Sequence, residues 1–434
     1  MEDIFPLKHI KIKNKYISTI LPLNKSFSYI ILDEISEIIV DMILKNKTIN
    51  DMVEEIYKEY NVDKSVIKQD IYETIKILKK AGFLKNALSS EELTNKLIRN
   101  NSQFLINELY RKNNLPFKVF LELTHNCNLR CKHCYLDDYN TKIISHIDAL
   151  SIMKQLSEMG VVELILTGGE IGLHPELDEI IEYASRNFVL TLLTNGTLFN
   201  EEAILKLSKY PIYEVQISLY GTKKIHDKFV NQEGAWDKSF LALKLFKKYM
   251  NIGKAAIVSN KMTYHTLHDL VEILENEGID FLITPVINSS TTGDKRTHAF
   301  RLSNSELTDI FQKYNFRIGG SICTAGISRF RILPDKKVVP CELLEDINFG
   351  TLIDSSFEDI LNSKKRKEWV KFYEKWRGDS DCINCNKKIY CTNCIGTNFI
   401  ENRNYDKKSS YACSIAHVQY LSKEVNNAER KLFD

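Results

Sequence analysis

The sequence predicts an α/β protein built around a parallel sheet, with a small α+β module before it and a cysteine-rich extension after it. Three observations carry this reading. Between residues 117 and about 315, strand-like and helix-like stretches alternate six times. Before residue 89, short strand patterns give way to three helical ones. Beyond about residue 320, periodicity weakens and seven of the ten cysteines appear.

In the central region the expected strands are FKVFLEL, VELILT, FVLTLLT, YEVQISL, KAAIVS and DFLITPVI. Helical stretches such as IDALSIMKQLSEM and SFLALKLFKKYM lie between them. Repeated strand–helix units imply right-handed crossovers and either an open sheet or a partial (β/α)6 barrel. Ligands then belong at the C-terminal ends of the strands.

The first unit spans 1–88. KHIKIK, YISTIL and FSYIILD read as strands. Asp33 is placed to cap a helix running to about Leu44, and Thr48 to cap a second, with Asp51 in the capping-box position. A third helix runs from about Lys64 to Lys80, carrying Val66, Ile67, Ile71, Ile75 and Ile77, and Gly82 stops it. Strands followed by three helices make a winged-helix-like module. Residues 89–115 form a polar linker ending at Pro116. The barrel occupies 116–318 and the extension 319–434. The extension is poor in core-forming segments, so metal is expected to hold it together.

Composition narrows the function. Lys and Arg total 59 against 57 Asp and Glu, a net charge of +2, which gives no sign of a nucleic-acid-binding surface. The N-terminus lacks a basic stretch followed by an apolar run, and no window of 18 apolar residues exists. Neither a signal peptide nor a membrane span is expected, and the cytoplasm is the expected location. Ten cysteines in clustered spacings, none before residue 127, read in a reducing compartment as metal binding rather than disulfides.

Cys127, Cys131 and Cys134 form C-x3-C-x2-C directly after the first central strand, in LELTHNCNLRCKHCYLDDYN. Three thiolates in a tight loop suit a cubane iron–sulfur cluster with one iron left open. Zinc is the alternative, but it usually takes four closed ligands, and His133, which could serve as the fourth, lies inside the loop. LTGGEIGLHPEL ends the second strand: Gly168 and Gly169 allow close backbone approach to a ligand, and Glu170 can accept from an ammonium group. LLTNGTL, with Asn195, ends the third strand, and EVQISLYG, with Ser218, ends the fourth.

These motifs, in this order, resemble the radical S-adenosylmethionine superfamily. The resemblance implies a [4Fe-4S] cluster on Cys127, Cys131 and Cys134, with Tyr135 as the usual following aromatic. S-adenosylmethionine would bind the open iron through its methionine amino and carboxylate groups. One-electron cleavage would then give a 5′-deoxyadenosyl radical that abstracts hydrogen. Gly168, Gly169 and Glu170 would meet the amino group; Asn195 and Ser218 would lie near the cofactor. The chain departs from the pattern at Val230, where relatives often carry Arg after a His-Asp pair, here His226 and Asp227.

Cys323, Cys341, Cys382, Cys385, Cys391, Cys394 and Cys413 remain. CINCNKKIYCTNC and RILPDKKVVPCELL resemble the SPASM extension of peptide-modifying radical enzymes, which holds one or two auxiliary [4Fe-4S] clusters. A zinc ribbon is the alternative for paired C-x2-C. The resemblance assigns Cys382, Cys385, Cys391 and Cys413 to one cluster, and Cys323, Cys341 and Cys394 to another that lacks a fourth cysteine. Two departures stand out: the run ends C-x2-C where the family has C-x3-C, and Lys336 replaces a usual Gly.

The N-terminal module resembles the peptide-recognition element of ribosomal peptide maturation, which holds a precursor's leader peptide as an added strand. A DNA-binding winged helix is the alternative, disfavoured by the many Glu and Asp on its helices. The combination is most similar to sactipeptide (subtilosin-type) maturases, through THxCNLxCxHCYL, TGGEIxxHP and LTNGTL. That implies a thioether between a precursor Cys sulfur and an α-carbon, with a reductant such as flavodoxin or ferredoxin. Other peptide oxidations (a carbon–carbon crosslink or sulfatase-type formylglycine formation) and a non-enzymatic metal-binding regulator are the competing readings. No catalytic base stands out.

Overall fold

The structure is a computed structural model and describes residues 9–13, 18–22, 30–32, 34–60, 62–80, 110–136, 139, 142–314, 316, 318–319, 323–376 and 378–430. Asp33, Gly82 and the linker as far as residue 109 lie outside the described residues.

Strands β1 (His9–Lys13), β2 (Ser18–Pro22) and β3 (Ile30–Leu32) pair antiparallel in that order. Helices α1 (Glu34–Leu44), α2 (Ile49–Tyr60) and α3 (Lys64–Lys80) follow. The capping box at α2 forms as expected: the Asp51 N–H donates to Thr48 Oγ1 and the Thr48 N–H to Asp51 Oδ2, both at 3.2 Å. Ile67, Ile71, Ile75 and Leu78 of α3 pack with Ile39, Ile43, Met52 and Ile56 into a core of their own. Val66 and Ile77, expected on the same stripe, are instead 47% and 55% exposed. Each sits one residue off that row, about 100° around the helix.

The six expected strands all form: β4 (Lys118–Thr124), β5 (Glu163–Gly168), β6 (Val189–Thr194), β7 (Glu214–Ser218), β8 (Lys254–Val258) and β9 (Asp280–Thr284). They pair parallel in sequence order. The connecting helices are α4 (His146–Glu158), α5 (Leu177–Asn187), α6 (Glu201–Leu207), α7 (Lys223–Val230), α8 (Ala235–Met250) and α9 (Leu267–Asn276), with α10 (Asn304–Lys313) after β9. Val119, Leu121 and Leu123 of β4 join Ala149, Ile152, Met153 and Leu156 of α4 in the main core. Their neighbours Lys118, Phe120 and Glu122 turn to the opposite, inner side of the curved sheet.

The C-terminal extension completes this sheet rather than hanging from it. β10 (Arg329–Ile332) pairs parallel with β4, and β11 (Lys337–Val339) and β12 (Gly350–Thr351) extend the sheet to nine strands, open between β9 and β12. Helices α11 (Phe357–Asn362), α12 (Lys364–Lys375), α13 (Ser380–Ile383), α14 (Ile395–Asn402) and α15 (Ser410–Arg430) follow. Phe330, Val338, Phe349, Phe357 and Trp369 belong to the same buried cluster as the barrel. The extension therefore has an apolar core, which its short strands conceal from periodicity. Among the described residues, no helix is long and apolar enough to cross a membrane.

Lys336 shows how the chain manages without the usual glycine. It takes φ +66° in the β10–β11 turn, its N–H donating to Leu333 O at 2.8 Å. Its ammonium pairs with Asp148 of α4 at 3.0 Å. A Lys336→Val variant is expected to lose about 1–3 kcal/mol, because a branched side chain is strained in the left-handed region. Lys336→Gly should stay within about 1 kcal/mol of the parent, relief of strain offsetting the lost ion pair and stiffer backbone. Thermal unfolding compares the two; equal melting temperatures would remove the strain argument.

Candidate active site

The C-terminal ends of β4 to β7 gather the residues that the sequence singles out. The loop after β4 carries Cys127, Cys131 and Cys134 and is fastened by its backbone. The Arg130 N–H donates to Val230 O and the Lys132 N–H to Phe229 O, both at 3.1 Å. Val230, where relatives carry Arg, thus contributes a carbonyl and an apolar wall shared with Leu129, Tyr220, Phe229 and Ala235. Asp227 accepts from the Gly234 and Trp236 amides at 2.9 and 2.8 Å, capping the start of α8.

Burial raises the Cys131 thiol well above its usual value, and the nearby Cys134 and Cys127 add to the effect. Burial likewise raises Cys127, with Glu170 and Cys134 contributing. Cys127 and Cys131 pack against the apolar cluster of Leu129, Tyr220, Phe229 and Val230. His133 is enclosed between Tyr220 and Phe229, ring centroids 4.9 and 5.0 Å away, and burial holds its pKa down to about 4.

Gly168 and Gly169 have a purpose within the fold itself. A Cβ on Gly168 would lie 2.2 Å from Thr124 O, and one on Gly169 would lie 2.2 Å from Asn126 O. The glycines let the end of β5 press on the backbone entering the cysteine loop, where the Glu170 N–H donates to Asn126 O at 2.9 Å. The Glu170 carboxylate is buried and accepts from Gly172 N at 2.9 Å, Thr194 Oγ1 at 2.5 Å and Asn195 N at 2.7 Å. Burial raises its pKa, against those donors. Glu170 thus ties the end of β5 to the end of β6. Asn195 continues the chain of contacts, donating from Nδ2 to Asn128 Oδ1 inside the cysteine loop at 2.9 Å. Ser218 stands one strand further, at the end of β7.

Burial raises Cys413, and the charges of Cys391, Cys382 and Cys385 add to it. Burial raises Cys341 with a contribution from Cys394, and Cys394 with one from Cys323. The shortened C-x2-C is accommodated by Asn393 at φ +38°. Tyr373 of α12 donates to Cys323 O at 3.0 Å.

Residues that the sequence reading missed lie between the cysteine loops. Arg331, on β10, and Glu122, on β4, are both 1% exposed, with NH2 and Oε1 2.7 Å apart. Glu122 also meets His125 Nε2 at 2.9 Å, and Arg331 NH1 reaches Glu345 Oε1 at 2.7 Å and Glu342 O at 3.1 Å. Burial opposes ionisation of Glu122, but Arg331 and His125 prevail and hold its carboxyl below the usual range. Arg329 NH2 lies 2.6 Å from both carboxylate oxygens of Glu342, the residue after Cys341. A polar residue alternating with apolar ones in FKVFLEL was the available signal, but it names no partner.

The cysteines fit iron–sulfur clusters. All ten are free thiols. Backbone N–H groups point at sulfur in both regions: Leu129 to Cys127 at 3.4 Å, Asn393 to Cys391 at 3.3 Å and Thr397 to Cys394 at 3.4 Å. Such donors favour thiolate and tune cluster potential. Among the described residues, no three His, Cys, Asp or Glu side chains converge on a single metal ion. A cubane binds each thiolate to a different iron and so needs a wider spacing.

Comparison with known proteins agrees. Residues 121–276 match the radical SAM superfamily, 323–394 the SPASM iron–sulfur cluster-binding domain, and 23–84 the coenzyme PQQ synthesis protein D family. The antilisterial bacteriocin subtilosin biosynthesis protein AlbA of Bacillus subtilis is 26% identical over 71% of this chain and 72% of its own length. The sporulation killing factor maturation protein SkfB of the same organism is 26% identical over 57% of this chain and 65% of its own, just short of two thirds. The fold is shared with Streptococcus suis SuiB bound to its precursor peptide SuiA, at TM-score 0.58 and 16% identity over 95% of this chain and 99% of that one.

Proposed function

We propose that this chain, with its radical S-adenosylmethionine, SPASM and PqqD-type regions, is a peptide maturase that closes a thioether between a precursor Cys sulfur and an α-carbon. The observation that carries the reading is the trio Cys323, Cys341 and Cys394, one thiol short of the four that close a cubane. A substrate thiolate, a strong soft ligand, suits the vacant position. Resemblance to a subtilosin biosynthesis protein supports the same choice.

Cys127, Cys131 and Cys134 would hold the first cluster, with S-adenosylmethionine beside Gly168, Gly169, Glu170, Asn195 and Ser218. Together the cluster and cofactor supply one-electron cleavage of a carbon–sulfur bond and a hydrogen-abstracting radical. The chain's own part is to place groups and exclude water. Glu170 spans two strand ends and fixes the floor of the recess. Leu129, Tyr220, Phe229 and Val230 line it with apolar surface, which protects a radical from solvent. Cys382, Cys385, Cys391 and Cys413 would hold a closed second auxiliary cluster, a relay toward a flavodoxin- or ferredoxin-like partner. Ten thiols without a disulfide fit the reducing cytoplasm.

Residues 1–88 would hold the precursor's leader. The test uses reconstituted enzyme, reductant and a short Cys-containing precursor. The product should lose two hydrogens in mass and resist alkylation; a Cys→Ala precursor should not react. Loss of the same mass with the thiol still alkylatable would favour a carbon–carbon crosslink. Deleting residues 1–88 should spare cofactor cleavage and raise KM for precursor by about 100-fold, the scale of a lost docking segment. An unchanged KM would remove the leader-binding role.

A further inference from the structure

One acidic side chain stands beside the three-cysteine set and is held in an unusual way. Glu342 follows Cys341 directly in the chain. A carboxylate in that place is itself a competent iron ligand. Two arginines of β10 restrain it. Arg331 NH1 donates to the Glu342 backbone carbonyl at 3.1 Å, which fixes where the residue starts. Arg329 NH2 sits 2.6 Å from each carboxylate oxygen, so both are engaged at once. Arg329 is braced in turn: its guanidinium lies over the Phe120 ring, 4.6 Å from the centroid.

We infer that Arg329 is a positioning residue that withholds the Glu342 carboxylate from the three-cysteine cluster and so keeps its fourth coordination position available to an external thiolate. The inference rests on the open-site reading above. Three features carry it. Glu342 is tethered one residue from a ligand, so released it would act at high effective concentration. Both of its oxygens are occupied by a cation that cannot lose its proton. Arg329 and Arg331 both lie on the strand that joins the extension to the barrel, so the restraint comes from the rigid sheet rather than from the cysteine loop. No electron moves in this step: the carboxylate exchanges an ion pair for an iron–oxygen bond, or an incoming thiol loses its proton to buffer and forms an iron–sulfur bond.

The experiment uses the full chain with Cys127, Cys131 and Cys134 changed to Ala, so that only auxiliary clusters report. The probe is 2-mercaptoethanol, and the readout is electron paramagnetic resonance of the reduced clusters, with iron content measured alongside. With Arg329 and Glu342 intact, the thiol should shift the signal. Arg329→Gln should weaken apparent thiol binding by about tenfold or more, because an internal ligand leaves only the open fraction competent. Adding Glu342→Gln to Arg329→Gln should restore the shift, since an amide is a poor ligand.

A thiol shift in Arg329→Gln equal to the parent's overturns the inference, while leaving the open site standing. Failure of the double variant to recover, with iron content unchanged, also overturns it, because the loss then owes nothing to the carboxylate. A silent parent that becomes responsive on Glu342→Gln alone means that the carboxylate already occupies iron, and the withholding role is wrong. Silence in every variant removes the open site itself and the inference with it.

Discussion

Changing Cys127, Cys131 and Cys134 together to Ala should abolish formation of 5′-deoxyadenosine from S-adenosylmethionine under dithionite. The expected loss is complete, because no other described thiol shares the recess after β4; the remaining seven belong to the extension. The fold should survive. The loop is fastened by backbone bonds from Arg130 and Lys132 to α7, and its apolar contacts run through Leu129 and not through sulfur alone. Iron should fall by about four atoms per chain, one cubane, while auxiliary iron remains. Loss of product together with all iron would signal collapse instead, and persistent cleavage in the triple variant would sink the assignment.

Arg331→Met should lower stability by about 3–5 kcal/mol, because it strands the buried Glu122 carboxylate without its cation. On a chain of this size that corresponds to a fall in Tm of roughly 3–6 °C. The informative control is the pair Glu122→Leu with Arg331→Met, which removes both charges and should return most of the loss. If the double variant were as unstable as the single, the pair would matter for packing and not for charge balance. The pH dependence has a definite sign. Glu122 is held ionised, with its folded pKa below the unfolded one. Its contribution is fully present above about pH 4.3, the usual unfolded value, and is lost as pH falls through the lower folded value.

Local rules read well from this chain because local causes act alone there. Thr48 and Asp51 cap α2 through atoms within one turn, and Ile67, Ile71, Ile75 and Leu78 face inward because a helix dictates it. The central strands announced themselves through their apolar runs. Cysteine spacing separated the two regions, although the division of seven thiols into two sets came from resemblance. What stayed hidden depends on distant partners. Nothing in RILPDKK marks Arg331 as the counter-ion of Glu122, since the pairing exists only once β10 lies against β4. The ties from Glu170 to Thr194 and Asn195 were hidden for the same reason, since they form only once β5 and β6 lie side by side. Nor does the sequence show that a side chain at Gly168 or Gly169 would strike the backbone of Thr124 or Asn126, a contact made only in the folded sheet.

The parallel pairing of β10 with β4 also sets an order of events during synthesis. Lys118 pairs across to Arg329, about 200 residues later, a separation that makes the contact late and slow to form. At ribosomal speeds the free edge of β4 waits about 10–40 s for its neighbour to emerge. The amino-terminal module, with its own core, has no such wait. A barrel strand with a bare hydrogen-bonding edge is a template for association with other chains. A chain stopped near residue 318 would carry that edge permanently, together with Glu122 lacking its cation, and should aggregate where the amino-terminal module alone remains dispersed.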